Sequence, residues 1–281
     1  MCMLGRVALY SIFMMSVFAL TVILVLIEYS PLFQNDNLPA QALTPGSLTT
    51  GTWGIFDPDT GKLFAGGHED LKGPIASLTK LFTAAAVMES PRQYEPFIIS
   101  SSDVATEGRA GKLTAGTRTT PYNLLFPLLI ESSNDAGEAI RRHLGKEFTD
   151  SVTTLRGALS LQDTNIVDAS GLSTLNVSTV SDISRFYAYL RESYPHMLDI
   201  TQLNMYIGNG VGYVNNNPGR SFRSFTGGKN GYTAEAGRTF VGTFRLPDTG
   251  AEIGIVLLGS TDIVRDLKYL LAHSEGFKSD F

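Results

Sequence analysis

The spacing of hydrophobic and polar positions changes several times along the chain, and each change marks an element. Residues 7–27 carry no charge and no polar stripe. As a helix this run rises about 30 Å, the hydrocarbon thickness of a bilayer, so a transmembrane anchor is expected there. It is too long for a cleaved signal peptide, whose apolar region is about 7 to 15 residues. The small-x-small site Ala40-Gln41-Ala42 also lies far beyond it, so the anchor is expected to stay attached. Arg6 precedes the span whereas Glu28 and Asp36 follow it. By the positive-inside rule the N-terminus is cytoplasmic and the rest lies outside the membrane.

Residues 28–50 are rich in Pro, Asn, Gln, Ser and Thr without periodicity, as in a linker. Residues 52–56 then read as a strand, Asp57-Pro58-Asp59-Thr60-Gly61 as a turn, and 62–65 as the returning strand. From residue 77 to 89 the positions Leu78, Leu81, Phe82, Ala85 and Met88 recur at helical steps, and Pro91 ends that helix. Further helices are predicted over 121–130, 135–144 and 177–190, the last capped by Ser178 or Thr179 with Asp182 in its first turns. Strand character returns at 224–228, 239–244 and 252–258, the last two joined by a Pro247-Asp248-Thr249-Gly250 turn. A closing helix over 263–273 is predicted to bury Val264, Leu267, Leu270 and Leu271. Strands at both ends with helices between predict an α+β fold. One antiparallel sheet is built from both termini of the domain and flanked by helices, and a helical subdomain is inserted at about 77–215. The organisation is therefore 1–6 cytoplasmic, 7–27 anchor, 28–50 linker and 51–281 extracytoplasmic domain.

Composition narrows the function. A net charge of -5 gives no basic footprint for nucleic acid. The sole cysteine, Cys2, precedes the span, so the exported domain has no thiol or disulfide and stands by its core alone. His68, His143, His196 and His273 are scattered without paired ligand spacing, and neither a metal nor another cofactor is expected.

Three short segments carry the candidate chemistry: Ser77-Leu78-Thr79-Lys80, Ser132-Ser133-Asn134 and Lys229-Asn230-Gly231. In this order they supply a serine nucleophile, a lysine to take its proton, a second hydroxyl, an amide and a second cation, the inventory for acyl transfer through a serine ester. Lys80 lies one helical turn after Ser77 on the same face, and it acts as a base only where desolvation or neighbouring cations make it partly neutral. Ser132 is placed to relay a proton, and Asn134 to hold a substrate amide or Lys80. Lys229 suits a substrate carboxylate, and Gly231 lets a substrate approach the strand edge. Each segment alone has a plainer reading. Ser77 serves as a helix cap with Lys80 solvated, Ser133 or Asn134 caps the next helix, and Lys229 stands exposed in a glycine-rich turn. A phosphate loop is a poor rival, because no Gly-Lys-Ser/Thr step opens a helix at this point.

With these residues in this order, the chain resembles the serine penicillin-recognising peptidases, specifically the low-molecular-weight D-alanyl-D-alanine carboxypeptidases and related endopeptidases. The resemblance runs over nearly all of 51–281. It takes in Asp57-Pro58-Asp59-Thr60-Gly61, Pro74-Ile75-Ala76-Ser77-Leu78-Thr79-Lys80, Glu131-Ser132-Ser133-Asn134-Asp135-Ala136, Asp168-Ala169-Ser170-Gly171-Leu172, Gly231-Tyr232-Thr233 and Ala236-Gly237. It implies a beta-lactamase/transpeptidase-like fold with Ser77 as the acylated nucleophile and Lys80 as its base. Ser132 and Asn134 would complete the proton network and amide contact, and Lys229 would bind the terminal carboxylate. Asn230 and Gly231 belong to the substrate-binding strand, and the amides of Ser77 and Tyr232 would form the oxyanion hole. The implied substrate is the D-Ala-D-Ala end of a peptidoglycan stem peptide or a cross-bridge, with beta-lactams as covalent inhibitors. Two rivals share the motifs, a catalytically silent wall-binding protein and a serine beta-lactamase. The second normally carries a Glu-x-x-Leu-Asn segment that this chain lacks. Two departures stand out. Asn230 replaces the usual threonine or serine of the third motif, and the chain ends at Phe281 without the extra C-terminal domain of many relatives. The N-terminal span is expected to take over the anchoring.

Overall fold

The computed structural model describes residues 47–108, 112–247 and 249–274. The anchor expected at 7–27 and the linker up to residue 46 lie outside the described residues. Among the described residues no helix is long and apolar enough to cross a membrane. Thr49 and Thr50, within the expected linker, are fastened to the domain. The Thr49 amide and hydroxyl donate to Asp266 at 2.7 and 2.6 Å, and the Thr50 hydroxyl donates to the Leu258 carbonyl.

Strands β1 (Thr52–Phe56) and β2 (Leu63–Gly67) form the opening hairpin. The Asp57 amide donates to Lys62 O at 2.8 Å, and Gly61 turns the chain at φ 73°. After β3 (Gly73–Pro74), a 3-10 turn over Ala76–Leu78 leads into α1 (Thr79–Glu89). A small ribbon, β4 (Phe97–Ile98) with β5 (Arg118–Thr119), precedes α2 (Pro121–Phe126), which Thr120 caps by accepting from the Asn123 amide. The helix predicted over 121–130 changes geometry at Pro127, from which a π-helical turn runs to Glu131. Pro127 has no amide to continue the ordinary helical ladder. Then come α3 (Asn134–Leu144), α4 (Lys146–Ala158), β6 (Val177–Ser178), α5 (Val180–Ser193) and α6 (Pro195–Ile200). The helix predicted from 177 starts only at Val180, because Val177 and Ser178 pair with Pro74 and Gly73. Thr179 is the cap, accepting from the Asp182 amide.

A hairpin of β7 (Met205–Gly208) and β8 (Val211–Val214) turns at Asn209-Gly210, both with positive φ, as an Asn-Gly turn requires. The last elements are β9 (Phe225–Thr233), β10 (Gly237–Arg245), β11 (Glu252–Ser260) and α7 (Ile263–His273). The five long strands form one antiparallel sheet in the order β2-β1-β11-β10-β9.

Strand alternation gives this sheet two buried faces. Phe56, Val241, Val256 and Leu258 face the helical insert and join a core with Leu81, Phe82, Phe186 and Tyr187. Ile55, Phe240, Phe244, Ile255 and Leu257 face the other way, against Ile263, Leu267 and Leu270 of α7. Each such side chain contributes roughly 1.5–3 kcal/mol by leaving water. The apolar face of α7 differs from the predicted one. Val264 is 41% exposed and Leu271 half-buried, while Asp266 is buried. Asp266 turns inward because the Thr49 and Ser260 hydroxyls donate to its carboxylate.

Candidate active site

The three motifs come from three elements and meet where β9, the edge of the sheet, passes the start of α1. Ser77 sits in the 3-10 turn, and Lys80 follows in the first turn of α1. Lys80 is fully buried. Its Nζ donates to Ser77 Oγ at 3.0 Å, to Asn134 Oδ1 at 2.8 Å and to the Ser170 carbonyl at 2.5 Å. Burial penalises the ammonium form, whereas the three oxygen acceptors favour it.

The second motif ends the π-helical turn. Ser132 adopts the left-handed conformation, φ 65° and ψ 39°, a cost of roughly 1–3 kcal/mol for a non-glycine residue. Ser133 caps α3 by accepting from the Ala136 amide at 3.0 Å, so the plainer reading holds for that residue. Asn134, 5% exposed, uses both ends of its amide: Oδ1 accepts from Lys80, and Nδ2 donates to Glu107 O at 2.9 Å. The structure thus sets Asn134 on Lys80.

The third motif lies inside β9 rather than at a strand end. Lys229 is 1% exposed, and its Nζ donates to Ser132 Oγ at 2.9 Å and to Asn230 O at 2.7 Å. The exposed lysine of the plainer reading is therefore not what the structure contains. Asn230 is half-buried, Gly231 buried and Tyr232 exposed. Arg238, opposite Tyr232 across the strands, lies over its ring at 5.2 Å.

The Ala76-Ser77 peptide is held between two glycines. A Cβ on Gly231 would lie 2.5 Å from Ser77 N, and one on Gly171 would lie 2.0 Å from Ala76 O. Neither element could come this close with a side chain present. Ala76, between them, takes φ 47°, and Thr239 Oγ1 donates to Ile75 O at 3.0 Å one residue earlier.

Two further contributors lie in segments that carry the resemblance, which assigns them no role. Ser170 binds Lys80 through its main chain, which any residue could supply. The turn that presents it is built on Asp168, whose Oδ1 accepts from the Ser170 and Gly171 amides and Oδ2 from the Ser173 amide. Burial opposes charge on Asp168, but the amides of Gly171, Ser173 and Ser170 with the Ser170 hydroxyl outweigh it and hold the carboxyl below its usual range. Asp168 two residues ahead of Ser170-Gly171 is turn chemistry, and the segment is one of those that carry the resemblance. Glu131, just before Ser132, pairs with Lys112 at 2.8 Å. Among the described residues no three His, Cys, Asp or Glu side chains gather as metal ligands.

Known proteins resemble this chain throughout the domain. The family model for Peptidase S11, D-alanyl-D-alanine carboxypeptidase, matches residues 39–260. A D-alanyl-D-alanine endopeptidase of Pseudomonas aeruginosa is 31% identical over 154 residues, 53% of this chain and 49% of that protein. The chain thus spans about half the length of that relative. A D-alanyl-D-alanine carboxypeptidase structure from Mycobacterium tuberculosis superposes with a TM-score of 0.75 at 22% identity, covering 83% of this chain and 93% of that one. Penicillin-binding protein D2 of Listeria monocytogenes, solved in its cefotaxime-bound form, gives a TM-score of 0.71 at 25% identity, covering 82% and 98%. These likenesses extend to the mixed fold of helices on an antiparallel sheet.

Proposed function

Because this chain belongs to the D-alanyl-D-alanine carboxypeptidase family, we propose that it is a serine D,D-peptidase, a carboxypeptidase or endopeptidase acting on peptidoglycan stem peptides. One observation carries the reading: a lysine amine fully buried and 3.0 Å from the hydroxyl it must deprotonate. The neutral amine of Lys80 takes the Ser77 proton as Oγ attacks the carbonyl carbon of the scissile D-alanyl peptide bond. The amides of Ser77 and Tyr232 stabilise the oxyanion, a reading supported by the contact of Gly231 with Ser77 N. The carbon–nitrogen bond breaks, the leaving amine takes a proton through Ser132, and the acyl group stays on Ser77. Water then attacks the ester carbon, Lys80 takes its proton, and as the carbon–oxygen bond to Ser77 breaks Lys80 returns that proton to Ser77 Oγ. Lys229 serves twice, donating to Ser132 and presenting positive charge to the substrate's terminal carboxylate. Asn230 presents an amide donor where relatives have a hydroxyl. Beta-lactams acylate the same serine, an assignment supported by the cefotaxime-bound Listeria protein.

Residues 7–27 act as a single-pass membrane anchor, with 28–50 as linker and the catalytic domain outside the cytoplasmic membrane. The uncharged apolar run and Arg6 ahead of it support that placement. The test incubates the protein with a fluorescent penicillin and a D-Ala-D-Ala peptide, beside Ser77→Ala. The parent is expected to be labelled and to release D-alanine, and the variant to do neither. Label retained by Ser77→Ala overturns the mechanism, and label without D-alanine release overturns the carboxypeptidase assignment.

A further inference from the structure

We propose that a cavity behind the second motif is a subsite for the acetamido group of an N-acetylated sugar; the inference rests on the peptidoglycan reading above. The cavity holds about 100 Å³, room for one pendant group of a larger ligand rather than a whole one. It lies between α2, the segment before β5 and the β7–β8 hairpin, and none of Ser77, Lys80, Ser132 or Lys229 lines it. It nevertheless shares a wall with the catalytic centre. Lys112 lines the cavity, pairs with Glu131 beside Ser132 and donates to Gly212 O at 3.0 Å.

The lining sets the chemistry of the occupant. It contains no carboxylate, and its one cation, Lys112, is neutralised by Glu131, so a charged group gains nothing there. Tyr213 lines the cavity at 5% exposure, and its hydroxyl makes no hydrogen bond among the described residues. The hydroxyl is not a buried orphan but opens on the cavity, where an entering ligand can accept from it. Burial, with Glu131 and Tyr206 nearby, raises the phenol above its ordinary value and keeps it a donor at neutral pH. Half-buried Thr117 also lines the cavity with a hydroxyl bonded to no described residue, and Asn123 adds an amide. Buried Leu124 offers an apolar wall. An acceptor for Tyr213, a donor for the Thr117 or Asn123 oxygen and a methyl for Leu124 are the three parts of an acetamido group. Peptidoglycan carries that group on every sugar. Stem peptides also place amides beside methyls, but those amides lie in the main chain rather than at the end of a pendant group, and the cavity has room only for a pendant one.

The test is saturation-transfer NMR on the full chain with triacetylchitotriose and, as the sugar lacking acetamido groups, cellotriose. Chitotriose is expected to bind with the strongest transfer at its acetamido methyls, and cellotriose not to bind. Tyr213→Phe and Thr117→Val are each expected to weaken chitotriose about five-fold, the effect of one neutral hydrogen bond, while Ser77 labels with penicillin at the parent rate. Equal binding of the two sugars, no transfer to the methyls, or chitotriose binding unchanged in Tyr213→Phe overturns the subsite. Ser77→Ala should bind chitotriose like the parent. A protein that binds chitotriose through Tyr213 but cleaves no D-Ala-D-Ala peptide would overturn the peptidase reading and leave the subsite standing; the converse overturns the subsite alone.

Discussion

Replacing Gly231 by alanine should disable acylation without unfolding the domain. A Cβ at this position lies 2.5 Å from Ser77 N, 2.7 Å from Thr239 Oγ1 and 3.0 Å from Ala76 Cβ. None of these atoms is the loose end of a flexible side chain, and Thr239 is further fixed by its bond to Ile75 O. To reach ordinary contact at 3.4 Å, β9 and the Ser77 amide must part by about 0.9 Å. A displacement near 1 Å at a reacting centre costs on the order of 10²-fold in rate, and losing one oxyanion donor costs about 10²–10³-fold. The expected loss in acylation by a fluorescent penicillin, followed by stopped flow, is therefore about 10²–10³-fold. Overpacking of this kind costs about 1–3 kcal/mol, which lowers the melting temperature by several degrees and leaves a folded protein. Gly157→Ala is the control, since its added Cβ meets nothing within 4 Å. A Gly231→Ala protein that melts and acylates like the parent would refute the close approach of β9 to the Ser77 amide.

Lys80→Arg should lose acylation by about 10²–10⁴-fold by intact-protein mass spectrometry, because a guanidinium stays charged and cannot accept the Ser77 proton; parent-rate labelling would remove Lys80 from the role of base. Asn230→Thr should raise kcat/KM for a D-Ala-D-Ala peptide about five-fold, one better-placed hydrogen bond, and an unchanged value would show the amide to be an equal donor. Asp168→Asn should lower stability by about 2 kcal/mol near neutral pH, the range for hydrogen bonds to a charged group. The Asp168 carboxyl is depressed in the folded state, so its contribution is present above the unfolded value near 4 and fades as pH falls through the folded one. Melting curves of parent and variant should converge below about pH 4, and a gap that persists there would show a steric effect instead.

Much of the fold was legible because hydrophobic period and cap chemistry agree locally. The bounds of α7 follow from Asp262, which caps the helix by accepting from the Arg265 amide, and from a run of aliphatic residues. Its buried face is less legible, because Asp266 points inward to meet Thr49, 217 residues earlier in the chain. The third motif fails differently. Gly227, Gly228 and Gly231 remove the side chains by which a strand is recognised, yet β9 continues through all three. Gly228 is required there: a Cβ would meet Val241 O at 2.2 Å. Glycine signals a break in the sequence and permits close packing in the fold, and only the neighbouring strand decides between the two.

The candidate site shows the same division between side-chain and main-chain information. Ser77, Lys80, Asn134, Ser132 and Lys229 are visible because their chemistry lies in side chains at fixed spacings. What holds them in place lies largely in the main chain: the Ser170 carbonyl on Lys80, the Glu107 carbonyl on Asn134, and the Ala76-Ser77 peptide between Gly171 and Gly231. Ala76 and Ser132 both sit at positive φ, Ala76 just before Ser77 and Ser132 under the Lys229 amine. Such conformations cost energy and persist only where the surroundings over-determine them. Here the surroundings are β9 and the Asp168 turn, which reach the site from far along the chain. The two buried lysines are therefore held by partners from separate parts of the chain, Lys80 by Asn134 and Ser170 and Lys229 by Ser132, and the arrangement depends on the complete fold rather than on any one motif.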